Sequence, residues 1–217
     1  MPQTARRIVR ARTPEAEDGR RRQIIEATID EIAAVGFAQT TLAGIAGRAG
    51  ISTGLVAFYF TDKGGLLEAT LRHLAAGLGA LVSEGLRAAR SPRARIQAVI
   101  DANLGECQFE RRIATVWLAF WGEVTVMPRF RRVQRVYERR MISNLKAGFR
   151  GFAGPDAAQR LAEATAAMID GVWLRATLSD RPLDSAAARA TVSAFVDAQL
   201  ALLALALVAP APPRTRP

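Results

Sequence analysis

The chain has 217 residues, half of them hydrophobic and 23% charged. That length holds one large domain or two small ones, and the composition excludes a disordered chain. Its longest uninterrupted apolar run, Leu200–Ala209, has ten residues, half of the roughly 20 that a bilayer-crossing helix needs. Arg6, Arg7, Arg10 and Arg12 lead into no apolar stretch of the kind a signal peptide carries. A single cysteine, Cys107, excludes an internal disulfide and fits a reducing compartment, so a cytoplasmic location is expected.

Thirty Lys and Arg against twenty Asp and Glu leave a net charge of +10, which points to a polyanionic partner, nucleic acid first. Only Lys63 and Lys146 are lysines, so the arginine excess can equally reflect coding composition. Catalysis is poorly served. A hydrolase triad or a zinc site needs histidine or clustered cysteine, and the chain has His73 and Cys107 alone. No phosphate-binding GxxxxGK[ST] occurs, and Gly148, Gly151 and Gly154 follow a basic helical pattern, not a strand. Neither an enzyme nor a cofactor or metal is expected.

Alternation at period 2 is nearly absent and period 3.6 recurs throughout, so the fold class is all-α, with about nine helices expected. Residues 1–19, with Pro2, Pro14 and Gly19 and no periodicity, read as a flexible N-terminal arm. A helix from Arg20 to Gly36 carries Ile25, Ile29, Ile32 and Ala33 on one face. Thr41 suits an N-cap for a short helix Leu42–Ala49, and Gly50 supplies its left-handed end. Ser52 or Thr53 then caps a second short helix to about Tyr59. Helix, glycine turn and capped helix make a helix-turn-helix over residues 41–60. Gly44 and Gly47 inside the first short helix each cost about 1 kcal/mol against alanine, with no functional reason apparent. Asp62 caps a longer helix, Gly65–Leu81, with Leu66, Leu67, Leu71, Leu74 and Leu78 at helical spacing.

Beyond Ser91–Pro92 the periodicity predicts helices at Arg93–Phe109, Arg112–Val126, Pro128–Phe152, Pro155–Ser179 and Ser185–Ala209. The last two are apolar over a wide face. Pairing with the same helices of a second subunit would cover that face as a four-helix bundle, so a homodimer is favoured over a monomeric core. The expected domains are a helix-turn-helix module at 20–65, a second helical, dimer-forming domain at 66–209, and a disordered tail at 210–217.

Ile24-Ile25-Glu26-Ala27, Gly36-Phe37, Thr41-Leu42 and Ile45-Ala46 follow one another in an order that resembles the TetR/AcrR family of transcriptional regulators. Ala49-Gly50-Ile51-Ser52-Thr53-Gly54, Tyr59-Phe60 and Lys63 extend the resemblance over more than forty residues. Further matches resemble a choline-responsive branch of that family, the repressors of glycine betaine synthesis genes. They are Trp117-Leu118-Ala119-Phe120-Trp121, Arg139-Arg140, Ser143-Asn144-Leu145, Ile169-Asp170-Gly171-Val172-Trp173 and Pro182-Leu183-Asp184. The short apolar run already leaves no membrane partner expected, and the resemblance implies a repressor in which 20–65 binds DNA and 66–209 is regulatory. It would bind a near-palindromic double-stranded DNA operator as a dimer and answer to a small molecule, choline or a similar cation. Phe58 stands where such repressors usually carry histidine, which leaves the operator sequence open.

In this scheme the second short helix enters the major groove with Thr53, Gly54, Leu55 and Phe58 at its surface. Thr41, Ser52, Thr53, Tyr59 and Lys63 would meet phosphates. Phe58 and Tyr59 as plain core aromatics remain the alternative. Arg20, Arg21 and Arg22 could reach the DNA backbone or stay solvated. Trp117, Phe120 and Trp121 sit at i, i+3 and i+4 on one helix, and Trp173, Tyr137, Glu123 and Asp170 are candidate neighbours. Rings plus a carboxylate suit a quaternary ammonium. An aromatic core seam is the competing reading. Two other functions stay open: a regulator of the same fold that senses an apolar or acyl compound, and a helical enzyme or scaffold without DNA contact.

Overall fold

The computed structural model describes residues 14–182 and 184–208, and it is helical, with no strand among the described residues. The tail expected at 210–217, Leu183 and the first thirteen residues of the expected arm lie outside them. The chain forms two compact units that divide after Thr70.

In the first unit α1 spans Pro14–Val35, α2 Leu42–Ala49 and α3 Thr53–Tyr59, and α4, Lys63–Ala88, begins there. Residues 14–19, expected in the arm, instead form the first turns of α1. Pro14 at the first helical position lacks only an N–H that would be unpaired anyway. Glu15 and Glu17 in that turn favour the positive end of the helix dipole. Gly36 (φ 80°) ends α1 and Gly50 (φ 64°) ends α2 in the left-handed region. At Gly50 the turn is closed by Gly50 N–H to the Gly47 carbonyl at 3.2 Å and Ile51 N–H to the Ala46 carbonyl at 3.0 Å. The Thr41 hydroxyl accepts from Gly44 N–H at 3.0 Å and the Ser52 hydroxyl from Leu55 N–H at 3.3 Å, as the spacing predicts. The chain turns by 102° between α2 and α3, within the range of a helix-turn-helix. Ile24, Ile29, Ile32, Ile45, Val56 and Leu66 are buried and form this unit's core.

Gly44 has a structural reason. The buried Glu31 carboxylate of α1 reaches over it to pair with Arg48 Nε at 2.5 Å. A Cβ at Gly44 would collide with Glu31 Oε1. Close approach of α1 to α2 therefore offsets the low helix propensity of glycine. Nothing comparable surrounds Gly47.

The second unit holds the remainder of α4, then α5 (Pro92–Asn103), α6 (Glu106–Phe109), α7 (Arg111–Val124), α8 (Pro128–Phe149), α9 (Pro155–Thr177) and α10 (Ser185–Val208). The helix expected over Arg93–Phe109 is broken: it stops at Asn103, and α6 is a single turn that starts after Gly105. A Cβ at Gly105 would stand 2.9 Å from the Asp101 carbonyl, so only glycine lets the chain turn so tightly there. With α6 set aside as one turn, nine longer helices remain among the described residues.

Helix α8 packs against α5, α7 and α9, and α10 against α5 and α9. Gly148 lets α8 approach α5, since a Cβ there would lie 2.6 Å from Ile96 Cγ1. Ile96, Ile100, Phe120, Phe130, Leu145 and Phe149 are buried in this core. Judged by length and composition alone, Ser185–Leu205 of α10 is apolar enough to cross a membrane, and only 17% of that stretch is buried. Polar contacts seat it on α5 instead. Arg93 Nε pairs with Asp197 Oδ1 at 2.7 Å, Ser193 Oγ donates to Gln97 Oε1 at 3.0 Å, and Arg189 reaches the Leu104 carbonyl at 3.2 Å.

Candidate operator-reading helix and ligand cavity

Of the residues expected to meet DNA, Thr53, Gly54, Leu55, Phe58 and Tyr59 lie on α3 and Ser52 caps it, while Thr41 caps α2 and Lys63 opens α4. Thr53, Gly54 and Phe58 are exposed, and Leu55 and Tyr59 are half-buried. Phe58 is 68% exposed, which excludes a core role for its ring. It stacks edge-on against Tyr59 with centroids 5.3 Å apart. A Cβ at Gly54 would meet nothing within 4 Å, so the backbone there faces open space. Lys63 opens α4 beside its cap, where Asp62 Oδ1 accepts from Gly65 N–H at 2.6 Å.

The base of α3 is held by α1. Arg21 donates to the Tyr59 carbonyl at 2.9 Å and lies 4.5 Å above the Phe60 ring. Gln23 donates to the Ala49 carbonyl at 2.7 Å. Arg21 is one of three arginines expected to be solvated or on DNA, and the structure gives it to α3. Arg20 bonds Gln23 Oε1 at 2.6 Å.

On the second unit Trp117, Trp121, Tyr137, Asp170 and Trp173 line one cavity together with Asn103, Gln108, Leu78 and Ile169. It contains about 350 Å³ of empty space with its mouth included. Trp121 meets Trp173 edge-on at 5.1 Å, and Trp117 lies 6.1 Å from Tyr137. Three polar edges of the aromatic wall are tied down. Trp117 Nε1 donates to Gln108 Oε1 at 3.2 Å, Trp173 Nε1 to the Gln108 carbonyl at 3.0 Å, and the Tyr137 hydroxyl to Asn103 Oδ1 at 2.5 Å.

Two of the expected ligand residues are elsewhere. Phe120 is wholly buried and packs edge-on against Phe130 at 5.4 Å, and Glu123 is not in the cavity wall. The helix turns about 100° per residue. Measured from Trp117, Phe120 therefore falls about 60° to one side and Trp121 about 40° to the other. The spacing places all three near one face but cannot say that the cavity lies on the Trp121 side. Sequence reasoning misses Asn103 and Gln108. Asn103 carries a signal, since it shares the inward stripe of Ile96, Val99 and Ile100. Gln108 lies on the one-turn α6, which periodicity cannot resolve.

Asp170 is the single acidic group in the cavity wall. No hydrogen bond or ion pair joins it to another described residue. Burial first, and the charge of Glu138 second, push its carboxyl up to about 6. Burial, and then the Asp170 charge, hold the Tyr137 phenol well above its ordinary value, so it remains a donor to Asn103. Aromatic faces around an uncompensated carboxylate offer a small organic cation both a quadrupolar wall and a counter-charge.

An exposed helix of a helix-turn-helix, joined to a separate helical unit, is the architecture of a DNA-binding regulator. Comparison with known proteins narrows the class. Residues 24–70 match the model of bacterial regulatory proteins of the tetR family, and residues 92–201 match that of the BetI-type transcriptional repressor C-terminal domain. The chain belongs to the TetR family of transcriptional repressors, with a BetI-type C-terminal domain, and is not an enzyme.

Over 183 residues the chain is 47% identical to the HTH-type transcriptional regulator BetI of Paraburkholderia xenovorans (strain LB400), covering 84% of this chain and 94% of that protein. To the BetI of Burkholderia thailandensis it is 44% identical over the same span and coverage. Among solved structures, a transcriptional regulator from Pseudomonas aeruginosa PAO1 shares the fold with a TM-score of 0.75 at 24% identity, over 85% of this chain and 91% of that one. A regulator from Saccharomonospora viridis, solved in complex with choline, does so with a TM-score of 0.71 at 22% identity, over 83% and 96%.

Proposed function

We propose that this chain represses glycine betaine synthesis genes from a near-palindromic operator and leaves it when choline or a similar quaternary ammonium fills the aromatic cavity. The observation that carries the reading is Asp170, a carboxylate without a partner among the described residues, set among Trp117, Trp121, Tyr137 and Trp173. Each ring face within about 6 Å of a quaternary ammonium contributes roughly 0.5–2 kcal/mol. Several rings and one carboxylate reach micromolar-to-millimolar affinity, which suits a metabolite sensor. The carboxylate of Asp170 in the wall favours a cationic head group over an acyl chain. That the S. viridis regulator was solved with choline supports the same choice.

On the DNA side, α3 enters the major groove with Thr53, Gly54, Leu55 and Phe58 towards base edges, and Leu55 or Phe58 suits a thymine methyl. Thr41, Ser52, Tyr59 and Lys63 hold phosphates. Residues 20–65 act as the DNA module and 66–209 as the sensing and dimerising part, with the protein working in the cytoplasm where its operator is. Leu202 (59% exposed) and Leu205 (67% exposed) leave α10 with an apolar face, and a second copy covering it would give the dimer two α3 helices, one for each half-site. Choline would then shift the dimer towards half-site separations that do not match the operator.

Calorimetry with choline on the wild type and on Trp117→Ala and Trp121→Ala tests the reading, together with gel shifts on the gene's upstream palindrome. Binding in the micromolar-to-millimolar range that either substitution weakens at least tenfold is expected. Unchanged affinity in both variants would falsify the assignment of the cavity.

A further inference from the structure

The aromatic cavity shares Leu78, Asn103 and Tyr137 with a second hollow between α4 and α8. This outer hollow holds about 1560 Å³ of empty space with its opening included. Its charged lining residues are Arg72, Arg132 and Arg140, and no carboxylate lies among them. Arg132 and Arg140 form no hydrogen bond or ion pair with a described residue. Asn144 and Ser83 add neutral polar groups to the same wall. The two hollows therefore have opposite electrostatic character on either side of a shared wall. The inner one offers an unpaired carboxylate and ring faces, and the outer one offers guanidinium groups.

The register of α8 sets the separation. Arg140 follows Tyr137 by three residues, a rise of about 4.5 Å on the same side of the helix. A molecule whose ammonium head rests against Tyr137 would place a group a few bonds away beside Arg140. A bare cation gains nothing from that neighbourhood and is repelled by it. A ligand that also carries an anion gains charge-assisted, bidentate hydrogen bonds, for which guanidinium is well suited.

We infer that the two hollows form one composite site for a zwitterion, with a quaternary ammonium in the aromatic cavity and a phosphate or carboxylate between Arg132 and Arg140. The inference rests on the quaternary-ammonium reading above and extends it from a cation to a cation with a tethered anion. Phosphate and carboxylate share this chemistry, and choline phosphate and glycine betaine represent them.

The test is calorimetry of the full chain with choline, choline phosphate and glycine betaine. It uses the wild type, the double variant Arg132→Gln/Arg140→Gln and the double variant Arg132→Lys/Arg140→Lys. In the wild type at least one zwitterion is expected to bind about tenfold more tightly than choline. That preference should fall to parity or invert in the Gln variant and return in part in the Lys variant, and the preferred zwitterion identifies the anion. Choline binding as tightly as both zwitterions in the wild type overturns the composite site while leaving the cation reading standing. A preference that survives in the Gln variant overturns it equally. If none of the three binds, the cation reading itself fails and the composite site with it.

Discussion

The indole of Trp173 donates to the backbone carbonyl of Gln108 at 3.0 Å, and the side chain of that same residue accepts from Trp117 at 3.2 Å. One residue of the short α6 thus fixes the orientation of two cavity rings carried by α9 and α7. Gln108 is itself buried, so nothing replaces the bond when its amide is removed. Gln108→Leu leaves the Trp117 N–H without its acceptor and should cost about 1–3 kcal/mol. Urea unfolding would measure that loss, and calorimetry should show choline binding weakened alongside it.

Asp170 makes choline binding depend on pH. Its carboxyl is raised to about 6 from an ordinary 3.8, so the folded chain holds this proton more tightly than the unfolded one. Stability from this group is therefore lost as pH rises from about 4 to about 6 and is level above that, an effect of order 3 kcal/mol. A cation needs the charged form. Choline affinity should rise as pH climbs through 6 and flatten beyond it, with protons released on binding below that point. Asp170→Asn should stabilise the ligand-free protein at pH 7.5 and abolish both the choline affinity and its pH dependence. Melting curves and calorimetry at pH 5, 6 and 7.5 read both effects.

Gly44→Ala should destabilise the first unit even though alanine is the better helix former by about 1 kcal/mol. The new Cβ meets the buried Glu31 carboxylate that pairs with Arg48. Displacing a buried, paired charge outweighs the propensity gain, for a net loss of about 1–3 kcal/mol. If steric conflict is the cause, Gly44→Ala should cost much less in a Glu31→Ala background. A thermal-melt cycle over the four proteins gives the coupling directly.

Phe58 separates recognition from folding. With 68% of its surface exposed, Phe58→Ala should change stability by less than about 0.5 kcal/mol. Operator affinity should fall about tenfold, the scale of a single interaction with a base edge. Lys63→Ala, by comparison, should weaken binding to all sequences alike and flatten the salt dependence. Fluorescence anisotropy on cognate and scrambled duplexes, at two salt concentrations, distinguishes the two.

What is legible in the sequence is local. Thr41, Gly50 and Ser52 announce the helix-turn-helix because caps and left-handed turns are decided within a few residues. Pro14, Glu15 and Glu17 are an equally local start signal, masked by the aperiodic charged residues around them. Gly105 gives no such signal, because its role depends on the Asp101 carbonyl behind it. The cavity is half legible. Trp173 with Asp170, and Trp117 with Trp121, follow from spacing, but which side of α7 faces a cavity depends on how α8 and α9 pack. Phe120 departs from expectation for that reason, and Gln108 and Asn103 act through bonds 65 and 34 residues long in sequence. The net charge of +10 that points to DNA sits mostly elsewhere. Met1–Lys63 holds nine basic and seven acidic residues, and Met127–Arg150 eight basic against Glu138.

The central claim is that filling the aromatic cavity releases the operator. It is tested most directly by titrating choline into the complex of this protein with its labelled upstream operator, for the wild type and for Trp121→Ala. Release of the wild type at micromolar-to-millimolar choline is expected, with Trp121→Ala remaining bound at the same concentrations. A wild-type complex indifferent to choline, or a variant released just as readily, would contradict the account.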